Sequence, residues 1–67
     1  MIELSINGIP TSLQTSRTVA DLIIELDLVG KRIAIERNGD IVPRSLFATT
    51  PLLASDKIEI VVAVGGG

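Results

Sequence analysis

The chain contains no histidine and no cysteine. Zinc, haem and iron–sulfur sites therefore lose their usual ligands, and thiol nucleophiles, imidazole bases and disulfides are excluded. Tryptophan and tyrosine are also missing and Phe47 is the sole aromatic residue, so bases of a nucleic acid would find no stacking platform. Basic residues are few: six Lys and Arg stand against eight Asp and Glu, for a net charge of −2. They form no cluster, which argues against binding a nucleic-acid backbone by counterion release. The longest unbroken apolar run, Ile60 to Val64, is far below the ~20 residues that cross a bilayer. The start, Met1-Ile2-Glu3, places an acid where a signal peptide needs basic residues. The expectation is a cytoplasmic protein with neither nucleic acid nor membrane as partner. It should enter chemistry as a carrier or substrate rather than as the catalyst.

What is present is a good core in a short chain. Sixty-seven residues make one domain, and 46% of them are hydrophobic. Such a domain is stabilised by about 5 kcal/mol or less. Ile2, Leu4 and Ile6 alternate with Glu3 and Ser5, the period of a half-buried strand. Asn7-Gly8 then predicts a type I′ turn, whose two central residues need positive φ. Ile9 to Leu13 should return as the partner strand, at the sheet edge because Pro10 cannot donate to a ladder. Thr18 can cap a helix whose apolar face is Val19, Leu22, Ile23 and Leu26, with Asp21 completing a capping box. Ile24 falls off that face, and Gly30 is placed to stop the helix in the left-handed conformation.

A third strand is expected over Ile33 to Glu36, a second turn at Asn38-Gly39, and a short fourth strand at Ile41-Val42. Ser45 to Ala54 has no clean period; one short helical turn there should bury Leu46, Phe47 and Leu52. Asp56 precedes a last strand, Lys57 to Val64. The order β-β-α-β-β-β implies an α+β fold, a small mixed sheet packed on one helix. Residues 1–64 are expected to form the domain and 65–67 a flexible tail.

That tail, Gly65-Gly66-Gly67, carries the most chemical information. Three glycines put a carboxylate on a bare backbone stalk roughly 10 Å long. Without Cβ atoms the stalk can pass through a channel too narrow for other residues. A carboxylate is a poor electrophile, but transfer of AMP from ATP would make it a mixed anhydride open to a sulfur, nitrogen or oxygen nucleophile. No side chain of the carrier is needed for that. The plain alternative is a frayed terminus. Against it, the glycines follow an apolar strand without a spacer, and no other candidate site is apparent.

Four segments carry a resemblance. They are Ile41-Val42-Pro43-Arg44-Ser45 after the Asn-Gly turn, the helix start Thr18-Val19-x-Asp21-Leu22, the strand Asp56-x-Ile58-Glu59-Ile60, and the end Val64-Gly65-Gly66-Gly67. Together, and over nearly the whole chain, they resemble the ThiS family of sulfur carriers of thiamine biosynthesis. Phe47 stands where that family more often has Trp, and Ala54-Ser55-Asp56 where it more often has Asp-Gly-Asp. The resemblance implies a β-grasp, ubiquitin-like fold. It implies that Gly67 is adenylated with ATP by an E1-like adenylyltransferase of the ThiF type. A cysteine persulfide then supplies sulfur, and the Gly67 thiocarboxylate delivers it to a thiazole synthase of the ThiG type. The chain itself would bind no cofactor and would not be an enzyme.

Gly65 and Gly66 are then the residues that let the tail enter a partner. If Ile58, Ile60 and Val62 face the helix, Val61 and Ala63 point outward and offer a docking patch. The alternative is a strand buried on both sides, or a bulge that reverses the parity. Arg44 either meets an acidic partner surface or bonds loop carbonyls after Pro43. Glu25, Asp27, Glu36 and Asp40 read as solvated surface. Three rival functions share this sequence: a sulfur carrier for another pathway, like the small subunit of molybdopterin synthase; a ubiquitin-like protein modifier; and an interaction module with an inert tail.

Overall fold

The computed structural model describes residues 1–63. Five strands and one α-helix follow in the order β1 (Ile2–Ile6), β2 (Ile9–Leu13), α1 (Val19–Glu25), β3 (Ile33–Arg37), β4 (Asp40–Val42), β5 (Lys57–Val62), with a 3-10 turn at Arg44–Leu46. The sheet order is β2-β1-β5-β3-β4, so the strand latest in sequence lies at the centre. It runs parallel to β1 and antiparallel to β3. This is the mixed sheet on one helix that the pattern predicts, and β2 with its Pro10 is at the edge.

Both Asn-Gly turns form as expected, with φ of 51° and 80° at Asn7 and Gly8 and 53° and 89° at Asn38 and Gly39. The two asparagines also do more than turn the chain. Backbone pairing of β1 with β5 reaches only Ile58. The Asn7 amide then continues the ladder as a peptide group would: Ile60 N–H donates to its Oδ1 at 2.7 Å, and its Nδ2 donates to Ile60 O at 3.1 Å. On the other side of β5, Lys57 N–H donates to Asn38 Oδ1 at 2.9 Å and Asn38 N–H donates to Lys57 O at 2.8 Å.

Helix α1 has seven residues, too few to persist alone. Its N-terminal donors are all satisfied, which is where its stability originates. Val19 N–H donates to Thr50 O and Ala20 N–H to Phe47 O, while Asp21 N–H donates to Thr18 Oγ1. Asp21 Oδ2 accepts in return from the Arg17 and Thr18 amides. Those two bonds hold the Asp21 carboxyl below its usual range. The loop after β4 is therefore fixed by the helix end it satisfies, and it drops Leu52 into the core. Val19, Leu22 and Ile23 pack there on Leu4, Leu13, Ile35, Val42, Ile58 and Ile60.

Three expectations are corrected. The helix ends before Leu26, which is partly exposed, and its left-handed terminating residue is Asp27 (φ 60°) rather than Gly30. Asp27 N–H donates to Ile24 O and Leu28 N–H to Ile23 O, the paired bonds of a Schellman end. Gly30 (φ 84°) instead makes the next turn, closed by Lys31 N–H to Leu28 O. Leu46 is not buried: it is 47% exposed, because the 3-10 turn aims Phe47 inward. The strand ends at Val62, with Ala63 outside it and Val64 beyond the described residues.

At the root of β5, buried Asp56 gathers four donors. Arg37 Nε bonds its Oδ2 at 2.8 Å, with the longer Arg37 Nη2 contact to Oδ1 at 3.5 Å, and Asn38 Nδ2 and Leu53 N–H complete the set. Burial pushes this carboxyl up, but the bonds from Asn38, Leu53 and Arg37 outweigh it and leave it below the ordinary 3.8. Just before it, Ser55 is held at φ 69°, a conformation that glycine adopts without strain.

Two outcomes follow from these bonds. Asn7→Ala should lower stability by about 2–3 kcal/mol, because it loses the amide bonds and forces a Cβ residue to positive φ. Asn7→Gly keeps the turn and should lose only about 1 kcal/mol; urea denaturation reads both. Asp56 is depressed when folded, so its contribution is full above 3.8 and fades as pH falls through the folded value. Asp56→Asn should therefore melt lower at neutral pH and show a shallower loss of melting temperature between about pH 5 and pH 3.

Candidate functional site: the exit of the last strand

The end of β5 is held differently from its root. After Ile60 the β1 side offers no further bond, because β1 has turned back at Asn7-Gly8. The β3 side continues: Ala34 lies opposite Val61 and Ile33 opposite Val62, and Ala63 N–H donates to Arg32 O at 2.9 Å. The described end of the strand is thus paired along one edge only, beside the first residues of β3.

Alternation holds to this point. Ile58 and Ile60 are buried, whereas Val61 is 65% exposed and Ala63 is exposed. The strand buried on both sides is excluded for the described residues. Val62 lies on the helix side with Ile33 but is 41% exposed, outside the core cluster. On the open face, Val61 adjoins Ala34, and the next pair along is Glu36 opposite Glu59, with Ile41 opposite Glu36. This face is apolar near the exit and carries Glu36, Glu59 and Lys57 behind it. Glu25, Asp27, Glu36 and Asp40 are all exposed, as expected, although Glu25 also accepts a hydrogen bond from buried Ser16.

The other side of the exit holds a feature that sequence reasoning did not find. An open apolar groove of about 220 Å³ lies between α1, the α1–β3 loop and the 3-10 turn. Ile23, Ile24, Leu28 and Val29 line it, and Ile33 and Phe47 join them. Ile24 and Val29 are about two-thirds exposed, as are Ile9 and Val61 elsewhere on the surface. Lys31 and Arg44 are the cations in its lining. Among the described residues the one ion pair is Arg37 with Asp56, so neither cation has an acidic partner there. Among the described residues no side-chain hydrogen bond of Arg44 to a loop carbonyl is present; it stands exposed at the groove. The out-of-phase Ile24 was the one available signal of this surface.

No group of three acids suited to a metal ion occurs among the described residues, and no helix is long and apolar enough to cross a membrane. Gly65, Gly66 and Gly67, which the sequence singles out, lie outside the described residues. What is placed is the strand that leads toward them, as far as Ala63.

Known proteins match this arrangement. The ThiS family matches over residues 4–67. The chain is 41% identical over 66 residues, 98% of its length, to a thiazole synthase of Paramagnetospirillum magneticum, but spans only 20% of that protein. It is 38% identical over 50 residues to the sulfur carrier protein ThiS of Bacillus subtilis, covering 75% of this chain and 76% of that one. The crystal structure of the thiamine biosynthesis protein ThiS from Geobacter metallireducens superposes with a TM-score of 0.81 at 26% identity, covering 98% of this chain and all of that one (100%). By family match, relatives and fold together, the chain belongs to the ThiS family and has its β-grasp fold.

Proposed function

We propose that the chain is a sulfur carrier of thiamine biosynthesis whose working group is the carboxylate of Gly67. The observation that carries this reading is the family match running to Gly67, beyond a central strand whose described end is paired along one edge. In the proposed cycle an E1-like enzyme attaches AMP from ATP to the carboxylate and releases pyrophosphate. The terminal sulfur of a cysteine persulfide displaces AMP, giving an acyl disulfide. A second thiolate takes the outer sulfur as a disulfide and leaves the thiocarboxylate on Gly67. ATP belongs to the activating partner and the persulfide to a donor protein; the carrier contributes the acyl group and the surface that partners recognise.

Thiazole synthase is the proposed acceptor, supported by the relative in which a stretch like this whole chain makes up a fifth of a thiazole synthase. A soft sulfur nucleophile on a thin glycine arm suits delivery into a buried active site. The open face at Val61 and Ala63 is the proposed contact of both the activating enzyme and thiazole synthase, since it borders the arm that each must admit.

Intact-mass measurement tests the cycle. Incubation with the cognate activating enzyme, ATP and a persulfide donor should raise the mass by one oxygen-for-sulfur exchange located at Gly67. Lysine-linked conjugates would favour a protein modifier, and an unchanged mass would favour an inert tail. Gly66→Ala should slow single-turnover adenylation by about 100-fold, since a small misplacement of the reacting group has that effect. Val61→Asp should leave the melting temperature nearly unchanged, because the residue is exposed, while weakening the activating enzyme's grip about tenfold.

A further inference from the structure

We infer that Asn38 is a modification site: deamidation at the Asn38-Gly39 turn sets a second carboxylate against buried Asp56 and loosens the root of β5. The inference does not depend on the function proposed above. It rests on two Asn-Gly turns whose side-chain amides meet different partners.

The chemistry belongs to the dipeptide. The Gly39 nitrogen, its proton lost to a solvent base, attacks Cγ of Asn38 and closes a cyclic imide. The Cγ–Nδ2 bond breaks and the nitrogen leaves as ammonia. Water then opens either imide carbonyl, giving aspartate or, with the main chain rerouted through the side chain, isoaspartate. The balance is one water consumed and one ammonia released. Glycine leaves the attacking nitrogen unshielded. At both turns it faces open space, since a Cβ on Gly8 or Gly39 would meet no atom within 4 Å. Asn7, Gly8, Asn38 and Gly39 are all exposed, so water reaches both turns.

The fold restrains the reaction at each. Attack needs the amide free to swing onto the next nitrogen, and each amide is tied at its oxygen and at its nitrogen. Asn7 is tied to Ile60 alone, accepting from its N–H at 2.7 Å and donating to its carbonyl at 3.1 Å. Asn38 accepts from Lys57 N–H at 2.9 Å and donates through Nδ2 to Asp56 Oδ1 at 3.0 Å. A flipped Asn38 amide would point oxygen at a carboxylate, so its neighbours fix its direction.

The products differ accordingly. At Asn7, aspartate sets an oxygen against the neutral carbonyl of Ile60. At Asn38 it sets a charged oxygen in the place of Nδ2, against Asp56, which is 5% exposed. The Asp56 carboxyl is held below its ordinary range and is ionised at neutral pH. Arg37, its ion-pair partner, would then face two anions. Like charges sharing one buried site repel strongly. Isoaspartate lengthens the turn by one main-chain atom and also lacks the donor. Either product strips Asp56 of a hydrogen bond at the point where β5 begins.

Incubation of the folded chain at mildly alkaline pH, followed by peptide mapping, reads the NH-for-O exchange at both turns, with Asn7 as the internal clock for global opening. The chain in urea supplies the ratio of the two rates when open. Asp56→Ala should speed exchange at Asn38 relative to Asn7 by about tenfold, the worth of one bond to a carboxylate. An unchanged ratio in a variant that remains folded overturns the inference. A second arm decides the matter even where that variant unfolds. Asn38→Asp should lower the melting temperature by about 5 °C or more, and Asn7→Asp by less. In an Asp56→Asn background, Asn38→Asp should cost little, because the swapped pair again holds one donor and one carboxylate. Equal losses from the two aspartate variants, or the same loss from Asn38→Asp in both backgrounds, overturn the inference.

Discussion

The structure depends on how β5 is gripped: at its root from both sides, at its tip from one. The two hairpins that flank it each end in an asparagine at positive φ, and that conformation turns the side-chain amide toward the central strand. Asn7 extends the β1 ladder to Ile60 after the β1 backbone has left, and Asn38 closes the β3 side at Lys57. Asp56 adds charge-assisted bonds from Arg37 beneath them. Every polar group at the buried root is thereby paired, and no buried side-chain donor or acceptor is left without a partner among the described residues. Beyond Ile60 this support stops by design of the topology, since a parallel neighbour that turns back cannot accompany β5 to its end. A firm root and a one-edged tip suit the role proposed for the glycines that follow.

The helix end shapes the other half of the exit. A seven-residue helix in a chain this small is held by its caps. Its amino end borrows two carbonyls from the loop after β4, which pins Phe47 and Leu52 inward and leaves Arg44 at the surface. Its carboxyl end closes at Asp27, earlier than a glycine-terminated helix would. The residues released, Leu28 to Lys31, fold into a separate turn beside α1 rather than adding to it. That turn supplies Val29 and Lys31 to the groove. Had the helix run on to Gly30, these positions would have been helical and the groove would not have this shape.

Sequence reading succeeds where the signal is local and fails where several segments must meet. Asn7-Gly8, Asn38-Gly39 and the Thr18–Asp21 box are short-range stereochemistry, and all three form. The outward parity of Val61 follows from Ile58 by counting, once the strand has no bulge. The helix stop is misjudged because Gly30 is the stronger left-handed residue by composition, while Asp27 is chosen by the packing of Leu28 back toward the core. Leu46 is misjudged because an irregular loop has no period to say which of two adjacent apolar residues faces in. The groove needs α1, two loops and β3 together, and only the misplaced Ile24 hints at it. The proposed tail chemistry rests, within the sequence, on three consecutive glycines that lie outside the described residues.

On the proposed function one tail serves successive enzymes, and this limits how tightly any of them can hold the body. A partner that gains most of its affinity from the folded domain would retain the carrier after the chemistry at Gly67 is complete. A docking surface confined to the few residues around the exit eases that conflict, and the single tail allows only one active site at a time. Each contact can then be small and electrostatically steered, which favours fast encounter and modest residence. The exposed aliphatics at Val61 and Ile24, costly on a 67-residue domain with so little core, fit a molecule whose surface is used in alternation rather than kept covered.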